Sequence, residues 1–187
     1  MNHPMYFAER NNNDHRKEKL VHPFDGRVLP IEPSFIKQQA CYLANQLSTD
    51  GVDYIVGFAE GGLIPAYAIS EATNIPFIGS YRVRLRLPHE IHFIEHHSER
   101  SSHFIYGLKS GDNVILIEDE ITTGRTLMNV IAQFEERNIS VRDIGVYTLN
   151  CSSTFLQQFE HGGFQVKYIY SRQDINHTVP VEMIASR

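Results

Sequence analysis

Hydrophobic residues recur along the chain at two alternating spacings from residue 34 onward. The spacing of an amphipathic helix predicts helices over residues 36–47, 63–73 and 127–138, and a shorter helix is predicted near residues 155–159. Compact apolar runs typical of buried strands lie at residues 53–58, 77–84, 113–117, 144–149 and 166–170. This alternation predicts an α/β fold with a mainly parallel central sheet and helices on both faces, plus a small hood or hairpin.

Two segments fall outside this alternation. Residues 1–33 are polar and rich in turn-forming residues over most of their length, and they predict a loosely structured N-terminal arm or hood ahead of a domain at 34–187. Residues 85–108 form a long connection, and connections of this length are usually lids, hairpins or binding segments. We therefore expect a flexible insertion at 85–108, near the carboxyl edge of the sheet, where ligands bind in parallel sheets.

The composition narrows the class of protein. With 17 Lys and Arg against 22 Asp and Glu, the chain has a formal charge of −5, which argues against nucleic acid or an anionic membrane as a partner. No apolar run reaches the length of a membrane span, and the first residues contain no secretory signal pattern. Only two cysteines, Cys41 and Cys151, are present, so we expect a reduced cytoplasmic protein without a disulfide framework.

The segment at residues 114–126 carries the most specific chemical signal. An apolar strand runs into two adjacent carboxylates, Glu118 and Asp119, and a hydroxyl-rich turn containing Gly124 follows before a helix begins. The turn and the helix start favour a phosphate, and the carboxylates can accept hydrogen bonds from the two hydroxyls of a ribose. One segment can thus hold a ribose 5-phosphate. The competing interpretation is a polar turn in which Thr126 only caps a helix.

Residues 117–126, IEDEITTGRT, resemble the phosphoribosyl pyrophosphate (PRPP) motif of the type I phosphoribosyltransferases. Residues 56–62, VGFAEGG, lie where that family places its short pyrophosphate loop. The resemblance covers residues 36–170 in the order of elements. The N-terminal arm and the run FIEHHS at 93–98 are most similar to an uncharacterised branch of the family that is encoded with tellurite-resistance genes.

The resemblance implies a role for each part of the site. Glu118 and Asp119 bind the ribose hydroxyls; the 5-phosphate is wrapped by Thr122, Thr123, Gly124, Arg125 and Thr126; and the pyrophosphate is contacted by Ala59, Glu60 and Gly61. The family often has a non-proline cis peptide bond in that pyrophosphate loop. It also implies Mg²⁺ held mainly through PRPP, with Glu118 and Asp119 as further candidate ligands, and a homodimer.

Two residues depart from the family pattern. Glu120 stands where the family usually has an apolar residue, and it either turns outward to Arg125 or Arg142 or contacts the acceptor. Thr122 stands where enzymes for 6-oxopurine bases usually carry an acidic residue, which argues against hypoxanthine-type acceptors and is closer to the orotate enzymes.

Arginines and histidines cluster in and before the insertion. Arg82, Arg84 and Arg86 alternate, and if the second strand continues through them they share one face and can stabilise the departing pyrophosphate. We predict Arg84, Arg86 and Glu120 as catalytic residues. The predicted acceptor hood consists of Glu95, His96, Ser98 and His103. His92 and His96 would share a face only if the segment were helical, which is the basis of an alternative zinc site.

The leading functional hypothesis is transfer of ribose 5-phosphate from PRPP to a nucleobase or related small molecule, with release of pyrophosphate. Catalysis then consists mostly of positioning and of charge stabilisation on the leaving group. Three alternatives stay open at this point: a PRPP-sensing regulator that has lost the reaction, a pyrimidine enzyme similar to orotate phosphoribosyltransferase, and a metal-dependent hydrolase that uses the histidine cluster.

Overall fold

The computed structural model describes residues 5–9, 18–94, 102–151 and 153–175. Five parallel strands form the central sheet in the order β4-β3-β7-β8-β9. Their bounds are β3 Tyr54–Gly57, β4 Phe77–Gly79, β7 Asn113–Ile121, β8 Ser140–Leu149 and β9 Val166–Ser171. Crossover helices connect parallel strands, as their geometry requires.

Within the described residues, four α-helices cover the two faces of the sheet. They are α1 Pro33–Ala44, α2 Leu63–Thr73, α3 Arg125–Glu135 and α4 Ser153–His161. Side chains on β7 alternate between the faces: Val114 and Leu116 belong to the core cluster beneath α3 and α4, whereas Ile115 and Ile117 belong to the cluster beneath α1 and α2. Each face of the central strand is therefore buried, which explains why its sequence is an almost continuous apolar run.

Two antiparallel hairpins flank the sheet. The first pairs β1 Tyr6–Glu9 with β2 Glu18–Val21, and the second pairs β5 Ile91–Ile94 with β6 Ser102–Ile105. Residues 10–17 and 95–101, which join these strands, lie outside the described residues.

The first hairpin corrects the expectation that the N-terminal arm is loosely structured. Leu20, Phe24 and Met5 are buried in the cluster beneath α1 and α2, so the arm completes the core rather than extending from it. Turn-forming residues dominate the arm, and its apolar residues fall in short clusters, such as 5–8 and 20–21, each too short to show a period. The pattern therefore hid two short strands.

The predicted fold class is confirmed, with a parallel central sheet, helices on both faces and small hairpins. Three strands differ from the sequence prediction by four or more residues. β7 continues to Ile121, so the acidic residues belong to the strand itself, and β8 begins at Ser140 rather than at Ile144. β4 ends at Gly79 rather than near Arg84. Within the described ranges, no helix combines the length and apolar character that crossing a membrane requires.

Candidate active site

A cleft of about 470 Å³ opens at the carboxyl edge of the central sheet. All five strands deliver residues to it, as expected for a ligand site in a parallel sheet. The contributions that follow the strands are Phe58–Gly61 after β3, Arg82 after β4, Asn150 after β8 and Arg172 after β9, together with residues 118–122 and Gly124 in and after β7. The N-terminal hairpin and the segment after it supply a further wall through Phe7, Glu18, Lys19, Leu20, His22, Asp25 and Arg27.

The two carboxylates predicted to hold the ribose lie against the loop predicted to hold the pyrophosphate. A Cβ atom on Gly61 would collide with the Asp119 carboxylate, and one on Gly62 would lie 3.0 Å from Glu118 Oε2. Only a glycine lets the loop backbone approach the carboxylate so closely. The structure therefore brings the loop of Ala59, Glu60 and Gly61 against Glu118 and Asp119 in one cleft, and their roles as ligand contacts stay predictions. The Ala59–Glu60 peptide bond is cis, as the resemblance implies.

The turn after β7 has the backbone geometry of an anion site. Gly124 adopts the left-handed conformation, with φ 61°, directly before α3 begins at Arg125. Thr122, Gly124 and Thr126 line the cleft, whereas Thr123 and Arg125 are exposed and do not belong to its lining. The amide groups of the first helical turn have no intrahelical acceptor and favour a phosphate.

His22 was missed by the sequence interpretation, although it is almost fully buried in the cleft wall. Its Nε2 atom lies 3.3 Å from Asp119 Oδ2. Burial alone would raise the pKa of the Asp119 carboxyl, but the hydrogen bond from His22 and the positive charges of His22 and Arg27 hold that pKa below its ordinary value.

The same contact acts on His22. Burial alone would lower the pKa of His22, but the hydrogen bond and negative charge of Asp119 raise it. The backbone N–H of Phe24 lies 3.3 Å from His22 Nδ1 and opposes a proton on that nitrogen. A neutral hydrogen bond of this length is weaker than the attraction of a buried carboxylate, so Asp119 decides the direction of the shift.

Two arginines converge on the carboxylate of Glu60 in the pyrophosphate loop. Arg27 Nη2 lies 3.5 Å from Glu60 Oε2, and Arg82 Nη1 lies 4.0 Å from Glu60 Oε1. Arg27 also lies 3.5 Å, through Nε, from Asp25 Oδ2. These contacts are weak by themselves, but they hold two guanidinium groups beside the loop where the resemblance places the pyrophosphate.

Arg84 and Arg86 occupy a different environment from Arg82. The prediction that the three share a strand face is wrong, because β4 ends at Gly79 and Arg86 has a φ of 53°. Arg84 Nε donates to Glu90 Oε1 at 2.8 Å, and Tyr106 donates to the other oxygen of Glu90 at 3.1 Å. The hydrogen bond and charge of Glu90 raise the pKa of Arg84. Of the three arginines, Arg82 lines the cleft, and a catalytic role for the other two stays a prediction.

His103 is the one member of the predicted acceptor hood that falls within the described residues. It is buried beside the cleft, and its Nδ1 lies 3.2 Å from the hydroxyl of the buried Ser80. The Ser80 oxygen in turn accepts the backbone N–H of Ala59 at 3.1 Å. The insertion thus supports the pyrophosphate loop from behind. Glu95, His96 and Ser98 lie outside the described residues.

The alternative zinc site loses its geometric premise, because His92 lies in strand β5 rather than in a helix. Its Nε2 is 3.1 Å from the Ser102 hydroxyl, and its ring stacks on Phe104. Within the described ranges, one group of three metal-ligating side chains is close enough to share an ion, and it consists of His22, Asp25 and Asp119.

Glu120 has a partner that the sequence interpretation did not name. Its Oε1 accepts a hydrogen bond from Asn150 Nδ2 at 2.8 Å, within the cleft. Asn150 was not singled out in the sequence, because a lone asparagine after a strand is an ordinary turn residue. Among the cleft residues that the sequence pattern missed, His22, Arg27 and Asn150 come from segments without a motif.

A sequence model of a family described as phosphoribosyl transferase matches residues 5–161 of the chain. A protein of Methanohalophilus mahii named hypoxanthine/guanine phosphoribosyltransferase is 29% identical over 158 residues, which cover 84% of this chain and 80% of that protein. A protein of Methanocella paludicola with the same name is 32% identical over 129 residues, covering 68% and 66% of the two chains.

Solved structures show the same fold. Adenine phosphoribosyltransferase from Leishmania tarentolae superposes with a TM-score of 0.70 at 15% identity, over 94% of this chain and 86% of that one. The enzyme from Trypanosoma brucei, solved in complex with AMP, pyrophosphate and ribose 5-phosphate, superposes with a TM-score of 0.70 at 13% identity, over 96% and 81%.

Proposed function

Because the chain belongs to the phosphoribosyl transferase family, we propose that its cleft binds PRPP and transfers the ribose 5-phosphate to a nucleobase, releasing pyrophosphate. The protein is then a PRPP-dependent glycosyltransferase. One observation carries the proposal. The carboxylates at the end of β7 lie against the glycines after β3, and the left-handed Gly124 turn lines the same cleft.

The chemistry of each wall supports a separate part of PRPP. Glu118 and Asp119 accept the ribose hydroxyls, and the turn from Thr122 to Thr126 binds the 5-phosphate. Residues 59–61 bind the pyrophosphate through backbone groups. Arg27 and Arg82 stand where charge builds up as the pyrophosphate departs. This assignment differs from the sequence interpretation in giving Arg82 the place beside the leaving group.

Magnesium fits the oxygen donors of the cleft. Mg²⁺ prefers carboxylate, phosphate and water ligands, and Glu118 and Asp119 would supply carboxylates next to the phosphates of PRPP. The cation neutralises phosphate charge when it is bound. The group formed by His22, Asp25 and Asp119 fits Mg²⁺ less well, because one of its three donors is an imidazole nitrogen.

An apolar stripe supports the proposal of a homodimer. Ile64 and Tyr67 on α2 are exposed, as are Tyr81, Val83, Leu85 and Leu87 after β4. Leu63, one helical turn before Tyr67, lies near the Tyr81 hydroxyl, since a Cβ on Gly79 would lie within 3.2 Å of an atom of each. Light scattering should give twice 21.5 kDa, and Val83→Asp should shift the mass to that of the monomer. A wild-type monomer at micromolar concentration contradicts a dimer.

The proposal also includes the cellular location of the protein and its branch within the family. A cytoplasmic location is supported by the free cysteines Cys41 and Cys151, as expected in a reducing compartment. The branch encoded with tellurite-resistance genes is supported by the resemblance of the N-terminal arm and of residues 93–98, and the genes beside this one test it.

Two observations on the class of acceptor base oppose each other. The relatives are named for hypoxanthine and guanine, whereas Thr122 lacks the carboxylate that the 6-oxopurine enzymes usually carry. A PRPP-sensing regulator would have the same pocket but would release no pyrophosphate. An acceptor screen therefore separates these hypotheses as well as identifying the base.

The direct experiment measures pyrophosphate release from PRPP and Mg²⁺ with a panel of purine and pyrimidine bases. We expect base-dependent release in the wild-type protein and a loss of more than 100-fold in Asp119→Asn. Tight PRPP binding without release for any base would indicate the sensor, and absence of PRPP binding would contradict both.

A further inference from the structure

A buried hydrogen-bond acceptor beside the cleft lacks a donor. Within the described residues, Oδ1 of Asn150 is the one buried side-chain nitrogen or oxygen atom without a partner. Asn150 lines the cleft directly after β8 ends at Leu149. Buried polar atoms in folded proteins nearly always have partners, so an orphan atom beside a cleft points to a partner that arrives with a ligand.

The orientation of the Asn150 amide is fixed by Glu120. An ionised carboxylate can only accept hydrogen bonds, so the amide must turn its Nδ2 atom towards Glu120 Oε1, 2.8 Å away. The backbone N–H of Asn150 also donates to the carbonyl of Ile121 at 2.8 Å, which fixes the residue against the end of β7. Oδ1 therefore faces away from Glu120, and it is a hydrogen-bond acceptor whose orientation is fixed.

The neighbouring charge determines which ligand group suits this acceptor. The Glu120 carboxylate lies on the other side of the same amide and also lines the cleft. An amine or another N–H donor satisfies Oδ1 and is favoured by the nearby negative charge. A carbonyl oxygen in the same position leaves Oδ1 unsatisfied and is repelled by it.

We propose that Asn150 and Glu120 form the base-recognition site of the transferase, and that they select a base with an exocyclic amine over one with a carbonyl at the same ring position. This inference rests on the proposed function, because it assumes that the base occupies the cleft that binds PRPP. Asn150 touches the base, and Glu120 acts on specificity by holding the amide in one orientation.

Product nucleotides provide the test, because every one of them carries the same ribose 5-phosphate. Calorimetry should compare AMP with IMP and CMP with UMP, since each pair differs in an amine against a carbonyl. AMP and IMP also differ in whether the ring nitrogen beside that group carries a hydrogen. Purine riboside 5-monophosphate has neither the amine nor the carbonyl, and its ring nitrogen matches that of AMP. Comparing it with AMP therefore measures the contribution of the amine alone. Ribose 5-phosphate alone measures the part of the site that does not depend on the base.

One of the two nucleotide pairs, purine or pyrimidine, should fit the site. In that pair we expect the nucleotide with the amine, AMP or CMP, to bind at least tenfold more tightly than the one with the carbonyl. Asn150→Leu should weaken AMP or CMP about tenfold, abolish the preference and leave ribose 5-phosphate affinity unchanged. Glu120→Gln should bring the ratio close to one, because an amide at residue 120 no longer dictates which way Asn150 turns. Asn129→Leu is the matched control, since Asn129 bonds the backbone of Ile94 outside the cleft lining.

The outcomes distinguish this inference from the proposed function. Equal affinities within both nucleotide pairs, or a preference that survives Asn150→Leu, overturn the inference while ribose 5-phosphate binding still supports the transferase. Failure of the wild-type protein to bind ribose 5-phosphate and PRPP overturns the proposed function itself. If Asn150→Leu misfolds and loses ribose 5-phosphate binding, Glu120→Gln takes its place as the test. A ratio of amine to carbonyl nucleotide affinity close to one in that variant supports the inference, and a ratio equal to that of the wild-type protein overturns it.

Discussion

His22 from the N-terminal segment lies 3.3 Å, through Nε2, from the Oδ2 atom of Asp119 at the end of the central strand. The contact joins a segment without a recognisable motif to the centre of the PRPP motif. Because both side chains are largely removed from water, the pair contributes to the stability of the fold as well as to the position of the carboxylate.

The pair predicts a pH-dependent stability. The raised pKa of His22 gives a contribution to folding stability that is fully present below pH 6.5 and is lost as the pH rises through the folded-state pKa of His22. The lowered pKa of Asp119 gives a second contribution to folding stability, which is present above pH 3.8 and is lost as the pH falls through the folded-state pKa of Asp119. His22→Gln keeps a donor but loses the charge, so it should cost about 1 kcal/mol near pH 5.5 and less at pH 9.

Urea unfolding at these two pH values measures the difference. His161→Gln is a suitable control, because His161 is exposed and bonds only the backbone of its own helix. An equal destabilisation of His22→Gln at pH 5.5 and pH 9 would show that the charge of His22 does not matter.

Gly124 predicts a loss of phosphate binding on substitution. Gly124→Val should weaken PRPP and ribose 5-phosphate at least 100-fold, because a β-branched side chain disfavours a φ of 61° and would keep the phosphate away from the backbone. Gly51→Val is the matched control, since Gly51 has a φ of 69° and nothing lies within 4 Å of its added Cβ. Both variants bear similar backbone strain, so normal binding by a folded Gly124→Val would exclude a phosphate site in this turn.

The Ser80–His103 pair predicts a selective effect on the pyrophosphate half of the ligand. Ser80→Ala removes the acceptor for the Ala59 N–H, and we expect PRPP to bind about tenfold more weakly while ribose 5-phosphate is unaffected. His103→Ala should act in the same direction, and the double variant should be no worse than Ser80→Ala alone.

Calorimetry with the two ligands checks this selectivity. His92→Ala perturbs the same hairpin through its contact with Ser102, away from Ser80, and it should leave the ratio of the two affinities unchanged. A parallel loss of both ligands in Ser80→Ala would show a general disturbance of the cleft instead of support for one loop.

The three arginines after β4 can be separated by single alanine variants. Arg82→Ala should lower turnover most, about 10- to 100-fold, because Arg82 lies beside Glu60 in the cleft. Arg84→Ala breaks the contact with Glu90 and should mainly loosen the insertion. Steady-state pyrophosphate release is the measurement. A larger loss in Arg84→Ala or Arg86→Ala would return the leaving-group role to those residues.

The sequence predicted the sheet and the PRPP motif because both are local patterns. Strand β7 begins with an apolar run of the length that a doubly covered strand needs, its last part contains the acidic pair, and Gly124 follows within a few residues. The helix over Leu63–Thr73 was predicted at its observed bounds. In such segments, the residues that define the element and those that define its chemistry are neighbours in the sequence.

The missed parts depend on contacts between distant segments. His22 meets Asp119 across 97 positions of the chain, and Ser80 meets His103 through the hairpin insertion. The alternation of Arg82, Arg84 and Arg86 suggested a strand, but residues 81–90 turn back so that Arg84 can reach Glu90. No local pattern specifies a partner that lies on another element, so these contacts appear only in the fold.

Calorimetric titration of PRPP with Mg²⁺ into the wild-type protein, Asp119→Asn and Glu118→Gln tests the central claim most directly. If the carboxylates hold the ribose, the wild-type protein binds PRPP, Asp119→Asn loses about 100-fold in affinity, and Glu118→Gln loses a smaller factor, with both variants folded. Ribose 5-phosphate should weaken in parallel, because it carries the same hydroxyls. PRPP affinity that is unchanged in both folded variants would contradict the assignment of this cleft as a phosphoribosyl site.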